Sequence, residues 1–563
     1  MQPRLIFYSA AAALMHRSFG SPLSTRQSNV TSVSSFDELT PSADLVWTPC
    51  FENFTCSLLE VPLDYSNESV GTVNLAIIKR PGDSEDAQEV LLNSGGPGGS
   101  SVGMVISDSE AVQDKIGTQY SLVGIDPRGV ANSGPSSDCF PEYSYITRNS
   151  FLAEIYTPVD ITSDYALRQN HEYMRGYGKW CSSVYAVNGT ARYASTVATA
   201  QDMLHYIELR AKSKGEPPEE AKLWYYGISY GTILGGTFAS LYPDRIGRMI
   251  IDGVMELEDH YNGGWEKSIV DNDEASRYFF KRCFEAGPTL CQFHQNATSW
   301  EELEQRYTDM LHALMNSPIA VGDLGLAEQG VDLGVVLTPT LFKWQDLVSY
   351  MFATAYLLSP SAFSELDAIL MELQTGVIQL AAVVPVRSQI ATTFPGYDQR
   401  MARSLVNCLD ANRRFNTSEF PQYKSFVEQL HNISVYGGLN TVYQSGPICS
   451  HLDVAPPDSQ TFDGVTRVPS TSAPILLVSM LHDPVTPLPA ARKMQSLFPG
   501  SGLLVGNNSG HCAHFQKSEC LSTYEKQYML DGTLPPPDTT CEVDQPNPFI
   551  AVAEQGNATT GSS

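Results

Sequence analysis

"WYYGISYGTILGG", Trp224 to Gly236, sets a serine between two glycines and decides how the whole chain is read. The residues before Ser229, "KLWYY", suit a strand; those after it, "TILGGTFASLYPDRI", suit an apolar helix ended at Tyr242-Pro243. A strand running straight into a helix makes a sharp, strained turn that aims the serine hydroxyl at the helix N-terminus. Gly227 and Gly231 remove the Cβ atoms that would collide in such a turn, and Gly235, Gly236 and Ala239 let the helix lie close on the sheet. A second G-x-S-x-G, "GSSVG" from Gly99 to Gly103, lacks this context, because Ser101 follows the loop "NSGGPGG" and not a strand. Ser229 is therefore the candidate nucleophile.

The same alternation extends outward from this turn. "VNLAII", "EVLLNS", "YSLVGID", "KLWYYG" and "RMIIDG", then much later "APILLVS" and "GLLVG", are β-branched and leucine-rich runs closed by Gly, Asp or Ser. Such runs suit strands buried on both faces of a mostly parallel sheet. The amphipathic "TVATAQDMLHYIELRAK" lies between two of them, as a βαβ unit requires. The strand pattern lapses from about 256 to 465. There "SWEELEQRYTDMLHALMNSP" places Ser299 and Glu302 as a capping box ahead of a helix stopped by Pro318, and "TLFKWQDLVSYMFATAYLL" and "SAFSELDAILMELQ" read as further helices. The class is α/β, with an inserted helical cap. At 563 residues the chain exceeds the roughly 250–300 that one core serves. The expected organisation is a leader over 1–20, a flexible N-terminus over 21–45, core over 46–255, cap over 256–465, core again over 466–550, and a flexible tail over 551–563.

A serine hydroxyl needs a base, and the base needs an orienting carboxylate, in the chain order Ser, acid, His. "APILLVSMLHDPVTP" ends a buried strand at Asp483, and "GLLVGNNSGHCAH" ends another ahead of His511. Both fall at strand ends, where ligands gather in open α/β sheets. His482 and His514 are the local rivals: the first points away from its neighbour's site, and the second begins the next helix. "LLNSGGPGGSS" is a strand end followed by a glycine-rich turn, suited to supply one backbone N–H for a developing oxyanion, with the other from the residue after the nucleophile. Those donors are Gly96 and Tyr230.

Here the sequence resembles the tripeptidyl-aminopeptidase and prolyl-iminopeptidase branch of the α/β-hydrolases, and in particular its secreted, tripeptidyl-aminopeptidase-like members. The resemblance runs over most of the chain after about residue 45, through "CSLLEVPLDY", "NSGGPGGSS", "GIDPRGVANS", "GISYGT", "DGV", "HDPVTP" and the C-terminal "GHC" and "LPPP" region. It implies an α/β-hydrolase fold with a helical cap and a Ser229–Asp483–His511 triad. Ser94 stands where many relatives have His or Pro, and Ala131 where a glycine is frequent; neither touches the triad. Asp126 and Arg128 read as a structural ion pair near the site.

Bulk properties narrow the partners. A net charge of −27 argues against nucleic acid and anionic membrane surfaces, which call for a basic patch. "MQPRLIFYSAAAALMHRSFGSP" sets Arg4 before an apolar run from Leu5 to Met15 and small residues near Gly20, the pattern of a secretory leader and too short to span a bilayer. No later run is long enough for stable membrane insertion; Val377 to Val384 is interrupted by Gln379 and stopped by Pro385. Eleven cysteines without C-x-x-C doublets suit disulfides in an oxidising, extracellular compartment. Cys50/Cys56, Cys283/Cys291 and Cys520/Cys541 are local pairs. Spacing does not fix the connectivity; the expected pairing adds Cys139 with Cys181 and Cys408 with Cys449, leaving Cys512 free. Sequons at Asn53, Asn67, Asn188, Asn296, Asn416 and Asn432 suit a glycosylated surface. No metal or organic cofactor is expected, since the histidines do not cluster and "GGPGG" lacks the phosphate-loop lysine and the dinucleotide fingerprint.

The expected activity is that of a secreted serine exopeptidase. An aminopeptidase must bind a terminal ammonium, and Glu256, Glu258 and Asp259, just after "IIDGV", are the candidate carboxylates. The alternative is an esterase, lactonase or amidase acting on a small secondary metabolite. A silent binding protein is the third reading, and the intact Ser229, Asp483 and His511 speak against it.

Overall fold

The apolar runs form the strands of one ten-stranded sheet. A computed structural model describes residues 32–551 except 85, 142, 144, 323–338, 377–396, 445, 463–469 and 545. The strands are β1 (Thr48–Cys50), β2 (Phe54–Pro62), β3 (Thr72–Arg80), β4 (Glu89–Asn93), β5 (Ser121–Ile125), β6 (Leu223–Ile228), β7 (Ile246–Asp252), β10 (Ile475–His482), β11 (Gly502–Ser509) and β12 (Thr540–Glu542), with β8 (Ile319–Val321) and β9 (Thr340–Phe342) forming a separate pair. The order is β1-β2-β3-β5-β4-β6-β7-β10-β11-β12. The first three pairings are antiparallel, and every pairing from β5 onward is parallel.

Alternate residues of each strand enter different apolar layers, as the pleat dictates. Tyr225, Met249, Ile251 and Leu477 pack with Met203 and Phe238, from the helices Thr196–Lys214 and Tyr230–Leu241. Tyr226, Ile250, Leu476 and Val478 pack on the other face with Val105 and Leu521, from the helices Ser101–Ile116 and Glu519–Asp531. Burial on both faces is why these runs read as continuous apolar segments and not as alternating ones.

Between β7 and β10 the chain is mainly helical and carries its own apolar cluster, including Phe280, Leu347, Phe363 and Leu405. Leu167, Met174 and Tyr177, on the helix Asp164–Tyr185 between β5 and β6, join this same cluster. The helical layer is thus wider than the expected block of 256–465.

The cysteines pair as expected: Cys50–Cys56, Cys139–Cys181, Cys283–Cys291, Cys408–Cys449 and Cys520–Cys541, with Cys512 free and buried. Cys139–Cys181 and Cys408–Cys449 bridge separations of 42 and 41 residues within the helical layer. By the chain-entropy account, each such closure is worth about 4 kcal/mol against the unfolded chain.

Three expectations need correction. Residues 32–45 are not loose. Val33 N–H donates to Pro49 O and Ser42 N–H to Leu58 O, both at 3.0 Å, and Phe36 is buried. Ser299 does not cap its helix with its side chain; Thr298 N–H donates to Glu302 Oε2 at 2.8 Å, one residue earlier than the capping-box reading. Asp126 and Arg128 are not an ion pair. Arg128 makes a two-pronged pair with Asp202, both bonds 2.8 Å, while Asp126 accepts from Ser100 Oγ, Val102 N–H and Asn132 Nδ2 at 2.7, 3.0 and 2.9 Å. Asp126 thereby ties down the glycine-rich loop where it enters the helix Ser101–Ile116. The expected leader, the apolar stretch Val377 to Val384 and residues 552–563 lie outside the described residues. No described helix is long and apolar enough to cross a membrane.

One buried acid gives the fold a pH signature. Glu525, fully buried on the helix Glu519–Asp531, has neither carboxyl oxygen bonded among the described residues. Burial pushes its carboxyl up to about 7, with Lys115 working against the rise and Asp252 adding to it. The folded state therefore keeps a proton that the unfolded chain releases near the ordinary glutamate value. The associated stability is present at low pH and is lost as pH rises through about 7. Glu525→Gln is expected to match the parent near pH 4.5 and to exceed it by about 3 kcal/mol at pH 8, in denaturant unfolding at both pH values.

Candidate active site

The turn after β6 has the predicted geometry. Ser229 has φ +56° and ψ −123°, a conformation that costs a non-glycine residue of order 1–3 kcal/mol and persists only where its surroundings enforce it. Its N–H donates to Asp252 O at 2.8 Å, and its carbonyl accepts from Thr232 N–H at 2.8 Å and Thr232 Oγ1 at 2.6 Å. Thr232 Oγ1 in turn accepts from Met255 N–H at 3.0 Å. The glycines matter for closeness: a Cβ on Gly227 would stand 2.6 Å from Gly231 O, and one on Gly231 would stand 2.9 Å from Asn93 O.

The loop after β4 is pressed against this turn. Gly95 has φ +83°, and a Cβ there would lie 2.3 Å from Ile228 O and 3.1 Å from Tyr230 N. Gly96 lines a cavity of about 670 Å³ together with Ser94, Ser229, Thr486 and His511. Tyr230 is the first residue of the helix after the turn. Its side chain reaches back into the molecule, where its hydroxyl meets Thr196 Oγ1 and its ring lies 5.6 Å from that of His260. His260 Nε2 and Asp410 Oδ2 are 2.8 Å apart, and Asp410 Oδ1 accepts from Thr196 N–H at 2.9 Å. This fully buried network joins the start of the serine's helix to the helical layer.

Asp483 and His511 come from the ends of β10 and β11. Both Asp483 oxygens lie 3.1 Å from His511 Nδ1. The carboxylate also accepts from Val485, Thr486 and Cys512 N–H at 2.9, 2.8 and 2.9 Å. Burial pushes this carboxyl up, but the His511 imidazole and these hydrogen bonds outweigh it and hold it below the usual aspartate value. His511 N–H donates to Tyr356 O at 3.1 Å, and the two rings are 4.4 Å apart. His511 Nε2 faces Cys512 Sγ at 3.3 Å. Burial, Asp252 and Asp483 push the Cys512 thiol well up, so it stays protonated and weakly nucleophilic.

Neither rival lines this cavity, and the His514 imidazole, pushed down to about 3 by burial, lies 3.4 Å from Tyr226 O–H. Ser101 is wholly buried, 3.3 Å from Asn93 Nδ2. Another cavity, of about 370 Å³, opens beside Glu89, Arg210 and Trp224 near the strand starts and holds none of these residues.

The three carboxylates expected to receive an ammonium are not on the cavity wall. Glu256 is buried and paired with Lys267 Nζ at 2.9 Å. Asp259 accepts from Lys267 N–H at 3.2 Å and Ser268 Oγ at 3.3 Å, and burial together with Glu256 pushes its carboxyl up to about 6. Glu258 is exposed. Glu256 and Asp259 are thus taken up by Lys267 and Ser268, and Glu258 faces solvent. The wall carries instead Trp265, Phe352 and Tyr356, and from later segments Gln399, Arg403 and Tyr443. Sequence reading missed this last group. The one available signal was Gln399 and Arg403 at i, i+4 on the strongly amphipathic helix Gln399–Ala411, where two polar residues share a face.

Residues 89–305 match the family described as alpha/beta hydrolase fold, and residues 436–541 match the TAP-like protein family. The chain belongs to the TAP-like α/β-hydrolases. Relatives of this TAP-like hydrolase include serine protease Hip1 of Mycobacterium tuberculosis, 25% identical over 511 residues, 88% of this chain and 90% of that one. Tripeptidyl aminopeptidase of Streptomyces lividans is 24% identical over 516 residues, covering 89% and 87%. Carboxylesterase B of Mycobacterium tuberculosis is 24% identical over 533 residues, covering 89% and 92%.

Proposed function

We infer that this TAP-like hydrolase is a secreted serine exopeptidase that releases short N-terminal pieces from peptides through an acyl-enzyme. The observation that carries this is the strained Ser229 on one cavity with His511, whose Nδ1 is held by Asp483. Ser229 Oγ attacks the scissile carbonyl, and His511 Nε2 takes its proton and passes it to the departing amine. Reaching Ser229 requires Nε2 to leave Cys512 Sγ, and catalytic hydrogen bonds commonly tighten only once substrate is bound. Asp483 keeps the Nδ1–H tautomer in place, and the Gly96 and Tyr230 amides receive the oxyanion. Water then releases the acyl group by the same steps in reverse. The helical layer acts as the cap that limits entry to short chains. No carboxylate lines the cavity among the described residues, so the rings of Trp265, Phe352 and Tyr356 receive the substrate's ammonium. The leader-like N-terminus, five disulfides and sequons support secretion as a glycoprotein.

A fluorophosphonate probe followed by peptide mapping is expected to mark Ser229. A panel of peptides with free or acylated N-termini is expected to show faster release from the free ones; equal rates would remove the exopeptidase reading. The esterase reading draws on the relative named carboxylesterase B, equally distant in sequence. It gains if aryl esters turn over and peptide amides do not.

A further inference from the structure

We propose that Arg403 is a carboxylate anchor, so that the cavity selects substrates carrying a carboxylate close to the scissile bond. This rests on Ser229 being the nucleophile of that cavity. Arg403 is the only charged side chain, His511 aside, among the described residues lining it. A guanidinium offers five N–H donors in a planar fork. Here one bond is made, from Nη1 to Gln444 Oε1 at 3.1 Å, and the buried Nε has no partner among the described residues. No described carboxylate lies within ion-pair distance of it: the nearby Asp398 is taken by Arg400 at 2.7 Å. Arg248, also half-buried and without an acid, has two of its donors taken by the Tyr528 and Gly247 carbonyls, whereas Arg403 has one bond and faces a cavity. A buried donor without an acceptor is costly, and a guanidinium on a cavity wall is best satisfied by a two-pronged carboxylate.

The helix that carries Arg403 also sets its distance from the chemistry. Gln399, one turn earlier on the same face, packs against the glycine-rich loop: a Cβ on Gly96 would stand 3.0 Å from Gln399 Nε2, and one on Gly98 would stand 2.7 Å from Gln399 O. Four residues of helix advance about 6 Å. The anchor's backbone therefore sits within about two extended substrate residues of the loop that carries Gly96, and Tyr443 and Gln444 complete its side of the wall. Two sources supply such a carboxylate: the free C-terminus of a very short peptide, or an Asp or Glu side chain beside the cleaved bond.

Matched substrate pairs test this and separate the sources. One pair is a short peptide with a C-terminal carboxylate or carboxamide; the other is a C-terminally amidated peptide with Glu or Gln beside the scissile bond. The charged member of at least one pair is expected to have a kcat/KM about 10- to 100-fold higher, the range for a hydrogen-bonded charge. In Arg403→Met that ratio is expected to fall to about one, and in Arg403→Lys to keep part of its value. Should Arg403→Met fail to fold, the parent's ratios and Arg403→Lys still decide the matter. Ratios of one in the parent for both pairs, or an unchanged ratio in Arg403→Met, overturn the proposal. Fluorophosphonate labelling of the parent keeps the two readings apart: labelled Ser229 with ratios of one removes only the anchor, and an unlabelled Ser229 removes the hydrolase reading beneath it.

Discussion

Ser229→Ala is expected to lower kcat about 10⁶-fold and to abolish fluorophosphonate uptake, while the unfolding transition moves little. The rate effect follows from the loss of covalent catalysis: in a nucleophile–base–acid unit, deleting the nucleophile costs about as much as deleting all three members. About 10³- to 10⁴-fold acceleration over water survives through the oxyanion donors and substrate positioning. The small stability effect follows from the local bonding. What holds the turn is backbone and Thr232, through the bonds to Asp252 O and from Thr232 N–H and Oγ1, none of which uses the serine hydroxyl. Parent and variant should be compared by kcat per folded protein and by thermal melting. A variant that keeps more than about one hundredth of the parent's kcat assigns the chemistry to another residue.

Asp483→Asn is expected to lower kcat about 10⁴-fold, with KM changed far less. Every hydrogen bond at Asp483 is an acceptance: from His511, from Val485 and Thr486 N–H, and from Cys512 N–H. An amide can accept on one side only. If its oxygen stays with Val485 and Thr486, its NH₂ faces both His511 Nδ1 and the Cys512 N–H. The imidazole is then held in the tautomer with hydrogen on Nε2, which cannot take a proton from Ser229. The Cys512 N–H is left without an acceptor, so a modest stability loss of about 1–3 kcal/mol accompanies the rate loss. The measurement is kcat and KM across pH for parent and variant; equal kcat values would place the orienting carboxylate elsewhere.

The parts of the fold legible in the sequence are those with strong local grammar. β6 and its helix were legible because Gly227 and Gly231 have a single steric use in that turn. β10 and β11 were legible because double-sided burial leaves unbroken apolar runs. Other features depend on partners distant in sequence. Arg128 reads as a partner for Asp126 two residues away, yet a buried guanidinium needs several acceptors, and Asp202 with the Pro62 and Leu63 carbonyls supplies them. Residues 32–45 are polar and look loose, but their backbone completes hydrogen bonds that the sheet edge would otherwise leave open. Glu256, Glu258 and Asp259 have the right charge for an ammonium, but the first and last are taken up by Lys267 and Ser268, and Glu258 faces solvent. The cavity wall was the least legible part. Arg403 and Tyr443 belong to a helix and a turn whose orientation over Ser229 is set by packing of the helical layer, which leaves no motif.

The position of β10 and β11 late in the chain has a consequence for biosynthesis. The ribosome delivers Ser229 and its turn hundreds of residues before the two strands that carry Asp483 and His511. Until those strands add beside β7, the emerging polypeptide carries a hydroxyl with no base. The proposed triad is therefore assembled only after the helical layer has been synthesised, so that a nascent chain ending before β11 carries the serine without its base.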